Sequence, residues 1–321
     1  MLSVKFVVFL FSISLIAPVL AAGSPTPTTV PHGIQPAIET NSTVPPQSWL
    51  VRYPGLESGE INPNDLYKLK LLELAFAEMN QPLKLQPVNS SWVLESRSSR
   101  NLIDGRYDVH WLMTNQRHES MLRPIRVPIY KGLIGWRLLF IHTRNQAHFA
   151  AIETTAGLQK MVAGQGHDWP DAEILDKNNF ALELSSYSRG LFKMLDVGRI
   201  DYFPRSLVEV WNEQQQFSES DLVVENHLAL HYPAAYYFFV AKDNQALADI
   251  IEQGLLKAIN NGSFDEIFYD RFGSDIRRAK LHERKVLKLT NPLLSEQTPL
   301  ANNQLWLNIN DLQTLNPSTA N

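Results

Sequence analysis

The chain contains no cysteine. It can therefore build neither a disulfide framework nor a cysteine-ligated metal site, and no lipid can be attached through an N-terminal cysteine. It also lacks a basic excess, since 29 Lys and Arg stand against 33 Asp and Glu for a net charge of −4. A surface that neutralises a phosphate backbone needs the opposite balance, so nucleic acid is not an expected partner. Beyond Ala22 no apolar stretch is long enough to span a bilayer, and the most apolar run of the body, Tyr236 to Ala241, has the length of a strand. No Ser-His-Asp order, phosphate loop or metal motif of useful specificity occurs. One histidine, His167, stands in a glycine-rich segment without a second ligand at metal spacing. Neither an enzyme nor a cofactor is expected.

What is present is a chain of 321 residues, 44% hydrophobic, enough for two domains. Lys5, the apolar run Phe6 to Leu20 and the small residues Ala21, Ala22 and Gly23 describe a secretory signal peptide over residues 1–22. The run is too short for the alternative, a membrane anchor. The expectation is export to the periplasm, cleavage near Ala21 or Ala22, no membrane insertion afterwards and a monomeric product. Residues 23–46 are rich in Pro, Thr and Ser and read as an extended linker. Residues 291–321 return to Asn, Gln, Thr and Pro and read as a weakly ordered polar tail.

Between these ends short apolar runs alternate with helical patterns, the signature of an α/β fold. Trp49 to Tyr53 and Tyr107 to Leu112 read as strands. Asn62-Pro63 opens a helix with Leu66, Leu69, Leu72 and Phe76 on its apolar face, Gly198 closes one after Leu195, and Asn244 and Gly262 bound a longer one. Tyr130 to Ile141 and Tyr232 to Val240 echo each other, each placing a tyrosine before a small-residue turn and an apolar strand. Their separation suits two crossings between lobes, near Arg137 to Ile141 and Tyr236 to Val240.

Gly105-Arg-Tyr-Asp108 with Thr114-Asn-Gln-Arg117, Pro128-Ile-Tyr130, and Leu195-Asp-Val-Gly-Arg-Ile-Asp201 stand in an order that resembles the family 3 solute-binding proteins, which include the polar amino-acid receptors of ABC transporters. The segments Gly164 to Asp171, Asp201 to Arg205 and Asn291-Pro292 resemble a subgroup of these. The resemblance implies a type II periplasmic binding fold, two α/β lobes joined by two hinge strands, closing on a ligand in the cleft. It divides the body into lobe 1, residues 47–136 and 237–290, and lobe 2, residues 137–236.

By the same resemblance Thr114 and Arg117 match a Thr-x-x-Arg in which the arginine grips a ligand carboxylate; the plainer reading is a surface arginine. Gln165, Gly166 and His167 belong either to an amide nest before a helix at Asp171 to Leu175 or to a tight turn. Where the amino-acid receptors carry an acid, this chain has Pro204-Arg205-Ser206, so Arg205 and Arg117 are expected to face each other as an anion clamp, with Glu209 the alternative anchor for a cation. Tyr53, Trp111, Trp169 and Tyr187 are candidate cleft aromatics. Arg277, Arg278, Lys280, His282, Arg284, Lys285 and Lys288 read as a solvated basic face. The expected role is capture of a small polar, anionic solute for a membrane permease. The alternatives are a sensing module for a membrane signalling protein and a dehydratase-like enzyme with Asp201 or Glu209 as its acid.

Overall fold

The computed structural model describes residues 48–55, 63–89 and 95–308. The expected signal peptide and linker, and residues 309–321 of the expected tail, lie outside the described residues.

Strand β1 (Trp49–Gly55) and strand β2 (Leu83–Asn89) pair in parallel and are joined by helix α1 (Pro63–Glu78). The apolar positions of α1 bury Leu69, Leu72 and Phe76 together with Leu71 and Ala75, while Leu66 turns outward with 44% of its surface exposed. The buried face is therefore one step round from the face read in the sequence. Helix α2 (Glu95–Ile103) leads to β3 (Val109–Met113), helix α3 (Gln116–Met121) and β4 (Leu122–Ile125). Asp108 accepts two bonds from the Arg52 side chain, at 2.9 and 2.7 Å, which ties β1 to the entry of β3.

The middle of the chain builds a second, larger sheet. In order come β5 (Trp136–His142), α4 (Gln146–Ala150), α5 (Thr155–Leu158), β6 (Val162–Gly166), α6 (Pro170–Lys177), β7 (Ala181–Ser185), α7 (Ser188–Asp196), β8 (Tyr202–Ser206), α8 (Val210–Gln216), β9 (Leu222–Val224) and β10 (Leu228–His231). Then follow β11 (Tyr236–Ala241), α9 (Gln245–Asn261), α10 (Ser263–Ala279) and β12 (Lys285–Lys288). The large sheet runs β12-β10-β5-β8-β6-β7 with β9 beside β5, and a three-stranded sheet runs β3-β11-β4 with β11 antiparallel to both neighbours. Strands β3, β5 and β11 are almost wholly buried, as expected for strands covered on both faces.

The chain passes from the three-stranded to the large sheet through residues 126–135 and returns through 232–235. These crossings lie just ahead of the strands nominated by the echo, and Tyr130 and Tyr236 bring their rings within 5.3 Å at the junction. A third passage follows α10: β12, which the sequence division assigns to lobe 1, pairs in parallel with β10 in the large sheet. Helix α9 is bounded as read, with the Asn244 side chain accepting from Leu247 N and Gly262 in the left-handed region at φ 87°. Within α9, Gly254 lies so close to α1 that an added Cβ would stand 2.0 Å from the Ala75 carbonyl oxygen.

The expected loose tail is instead packed as far as Asn308. Leu305 is buried, Leu307 N donates to Lys131 O at 2.8 Å, and the Trp306 ring covers Gly132. The basic cluster is a solvated face as read, save for Arg284, whose guanidinium donates to Ala279 O, Glu225 O and Leu228 O.

Candidate functional site

The site is built where β3 and β6 end. Strand β3 stops at Met113, and the next residue, Thr114, is fully buried, donating its N–H to Ala235 O at 2.9 Å and its hydroxyl to Glu119 Oε1 at 2.7 Å. Asn115 then caps α3, its side chain accepting from His118 N at 2.7 Å. This fixes the first turn of α3 and leaves Arg117 exposed on it, with no ion pair among the described residues. His118 behind it is buried, with Nδ1 against Met113 O at 3.1 Å. Burial lowers its pKa and the Arg117 charge adds to the lowering, against the Met113 carbonyl.

The facing wall follows β6. Gly164 to Gly166 form this strand and not a loop, so their backbones are engaged in the sheet with β7. The next amides are taken as well: His167 N donates to Ser185 O at 3.1 Å and Trp169 N to Gly166 O at 3.2 Å. The glycines serve packing, since a Cβ at Gly166 would meet the Trp169 ring at 2.4 Å and one at Gly164 would meet Ile200 at 2.4 Å. The amide nest is thus corrected to a strand followed by a turn that presents His167, Asp168 and Trp169 ahead of α6.

These two walls and a third segment enclose a cavity of about 780 Å³. Ser99, Arg100, Ile103, Asn115, Gln116, Arg117, His118 and Met121 line one side, His167 to Pro170 with Ala172 and Glu173 the other, and Pro292 with Leu293 the third. Of the residues expected at the site, Arg117, His167 and Trp169 meet here. Asn115, inside the Thr-Asn-Gln-Arg motif, and His118, directly after it, were overlooked in the sequence but were within reach of the same argument. Arg100 and Ile103 carried no motif.

The other candidates lie elsewhere. Thr114 and Gly166 support the walls without lining them. Gln165 is fully buried in β6, its Oε1 accepting from Gly166 N at 3.3 Å and its Nε2 without a partner among the described residues. Tyr53 and Trp111 are core, tilted together at 6.1 Å, and the Lys68 ammonium lies 4.6 Å over the Trp111 ring. Burial lowers the Lys68 pKa, opposed by its partner Asp65 at 2.7 Å. Tyr187 is exposed at the start of α7. Asp201 accepts from Val162 N at 2.7 Å and anchors the start of β6, a structural duty.

Arg205 is the largest correction. Its guanidinium is buried on β8 and meets Glu213 at 2.7, 2.8 and 3.0 Å and Glu209 at 3.1 Å. It stacks 4.9 Å from the Trp169 ring and 5.0 Å from Phe203, and it is not among the cavity-lining residues. Two carboxylates already answer its one charge, so it has none left for a solute anion. Glu209 in turn is held by that cation; burial raises its pKa, and Arg205 pulls it back. Arg117 and Arg205 are therefore not two halves of one clamp.

No family model matches the chain. No curated protein matches its sequence. Solved structures do share its fold. An ancestral arginine-binding protein bound to arginine superposes with a TM-score of 0.53 at 14% identity, over 70% of this chain and 98% of that one. A probable amino-acid ABC transporter extracellular-binding protein from Bacillus subtilis gives 0.55 at 16% identity, over 71% and 100%. A histidine kinase sensor domain with similarity to periplasmic binding proteins gives 0.51 at 15% identity, over 71% and 97%. With three sheets, repeated passages between the two larger ones and a cavity at the strand ends, the chain has the two-lobed α/β fold of these periplasmic-binding-type structures.

Proposed function

We propose that the protein is an exported solute-binding protein that holds a small carboxylate-bearing solute in the cavity beside Arg117. The observation that carries this reading is the pairing, across one cavity of about 780 Å³, of an exposed guanidinium without an acidic partner and a histidine and tryptophan on the facing wall. A planar guanidinium can donate two parallel bonds to a carboxylate, and the aromatic wall supplies apolar cover. The acids Asp168 and Glu173 on the far wall would receive a cationic group of the same solute. Clefts at the carboxyl ends of strands are where open α/β sheets take their ligands. Export is supported by the charged start, apolar run and small residues at the N-terminus.

Delivery to a permease is the favoured use, because structural neighbours include binding components of amino-acid ABC transporters. The neighbour that is a kinase sensor domain keeps sensing open as a second use. The deciding experiment is mass spectrometry of solute released by denaturing protein purified from the periplasm, followed by calorimetry with that solute. Recovery of protein that carries no solute and binds none of the amino acids or short dicarboxylates would overturn the reading, and chemical turnover of a bound solute would favour an enzyme.

A further inference from the structure

Residues 290–308 pass one side of the cavity and bond to the end of α6, the first turn of α3 and both crossings. Thr290 exchanges two backbone bonds with the Asn178 side chain at the end of α6, at 2.8 and 3.1 Å. Asn291 Nδ2 donates to Pro233 O in the second crossing at 2.9 Å. Leu293 O accepts from Gln116 N at 3.1 Å, so it caps a first-turn amide of α3 immediately before Arg117. Farther on, Lys131 in the first crossing donates through Nζ to Gln304 O at 3.1 Å and accepts from Leu307 N at 2.8 Å. Beside it the Trp306 ring sits over Gly132, which is at φ 77° and has no side chain; a Cβ there would lie 2.6 Å from the ring. Pro292 and Leu293, between these anchors, form the third side of the cavity.

We propose that this strap is a working part of the binding site: Leu293 sets how large a solute enters, and the anchors on both crossings latch the lobe angle to the wall. The proposal rests on the cavity being the solute site. Three facts distinguish the strap from a passive tail. It uses backbone groups on both sides, so its path is specified at several points. It holds both crossings, the segments any closure must bend. It positions the helix turn that carries Arg117, so displacing the strap shifts the guanidinium as well as the wall.

The test uses the full chain carrying Trp306→Ala, Leu293→Trp or Leu293→Ala. For the latch, amide hydrogen exchange should accelerate by about tenfold or more in 126–135, 232–235 and 114–117 of Trp306→Ala, with β6 and β7 unchanged. Unaltered exchange at 114–117, or an equal rise everywhere, overturns the latch. For the wall, thermal shift is read with the proteinogenic L-amino acids and short dicarboxylates. Solutes that shift wild type should lose about tenfold or more in affinity in Leu293→Trp, and Leu293→Ala should admit longer homologues. Equal affinities and the same preference in all three proteins overturn the wall alone. No shift in wild type with any solute overturns the functional reading and the wall with it, while the exchange result still decides the latch.

Discussion

Arg137 and Asp171 form an ion pair at 2.5 Å with both side chains buried, and the Tyr232 hydroxyl donates to the same carboxylate. The three groups come from β5, the first turn of α6 and the second crossing, so the pair ties the cavity loop to the passage between sheets. Burial and the Asp171 charge act oppositely on Arg137, and its pKa ends raised. A buried charge left alone is far costlier than a pair removed together. Asp171→Ala should therefore lose about 3–5 kcal/mol of unfolding free energy, and Arg137→Met with Asp171→Ala should recover much of it. Urea unfolding decides; losses that simply add would mean the pair is not coupled.

The two arginines should separate by experiment. Arg117→Ala should weaken solute binding by about tenfold or more while leaving the melting temperature nearly unchanged, because it breaks no ion pair among the described residues. Arg205→Ala strands Glu209 and Glu213 and should cost about 3–5 kcal/mol of stability, with Arg205→Lys a partial rescue because a lysine cannot make the planar fork. Calorimetry and denaturant unfolding on each variant check both. Equal affinity losses without a stability difference would restore the clamp.

The β6 glycines give a graded outcome. A Cβ at Gly166 meets three indole atoms of Trp169 between 2.4 and 2.7 Å, a rigid ring that stacks on Phe203. At Gly164 the nearest atom is the Cδ1 end of Ile200, which can rotate away. Gly166→Ala should thus cost about 1–3 kcal/mol and Gly164→Ala less. If glycines were chosen there to free amides for an anion, both variants would lose binding and keep their stability.

Legibility followed locality. The Asn244 cap and the glycines at 198 and 262, at φ 76° and 87°, ended helices as read because caps are short-range chemistry. The position of Arg117 beside the cavity was readable because its motif follows directly on a strand end. Arg205 was misread because its neighbours at 209 and 213 come into contact only when the chain turns from β8 into α8, which composition does not show. Gly164 to Gly166 were ambiguous because glycine serves turns and close packing equally. The strap was hidden because its anchors are mostly backbone groups reaching residues distant in sequence, while its side chains look like those of a loose tail.

Acid should destabilise the fold through the histidines whose pKa burial lowers, His110 and His231 above all. Burial, with help from Lys68 and then His118, holds the His110 pKa down at about 3. Burial, with help from Lys288, holds His231 at about 4, where its ring stacks on Trp136 at 4.0 Å. An unfolded histidine titrates near 6.5. Between 6.5 and those lowered values the unfolded chain binds protons that the folded chain refuses, so stability is full above pH 6.5 and falls as pH drops toward 4. Each group contributes a slope of about 1.4 kcal/mol per pH unit within its window. His231→Phe keeps an aromatic ring against Trp136 and removes one titration, so its unfolding free energy should fall less steeply between pH 6 and 4.5 than that of wild type. Denaturant titrations at several pH values measure the two slopes, and the His231 ring followed by NMR should stay neutral at pH 5. Identical slopes, or a His231 resonance that titrates near 6.5, would show that the ring is not held neutral by its surroundings.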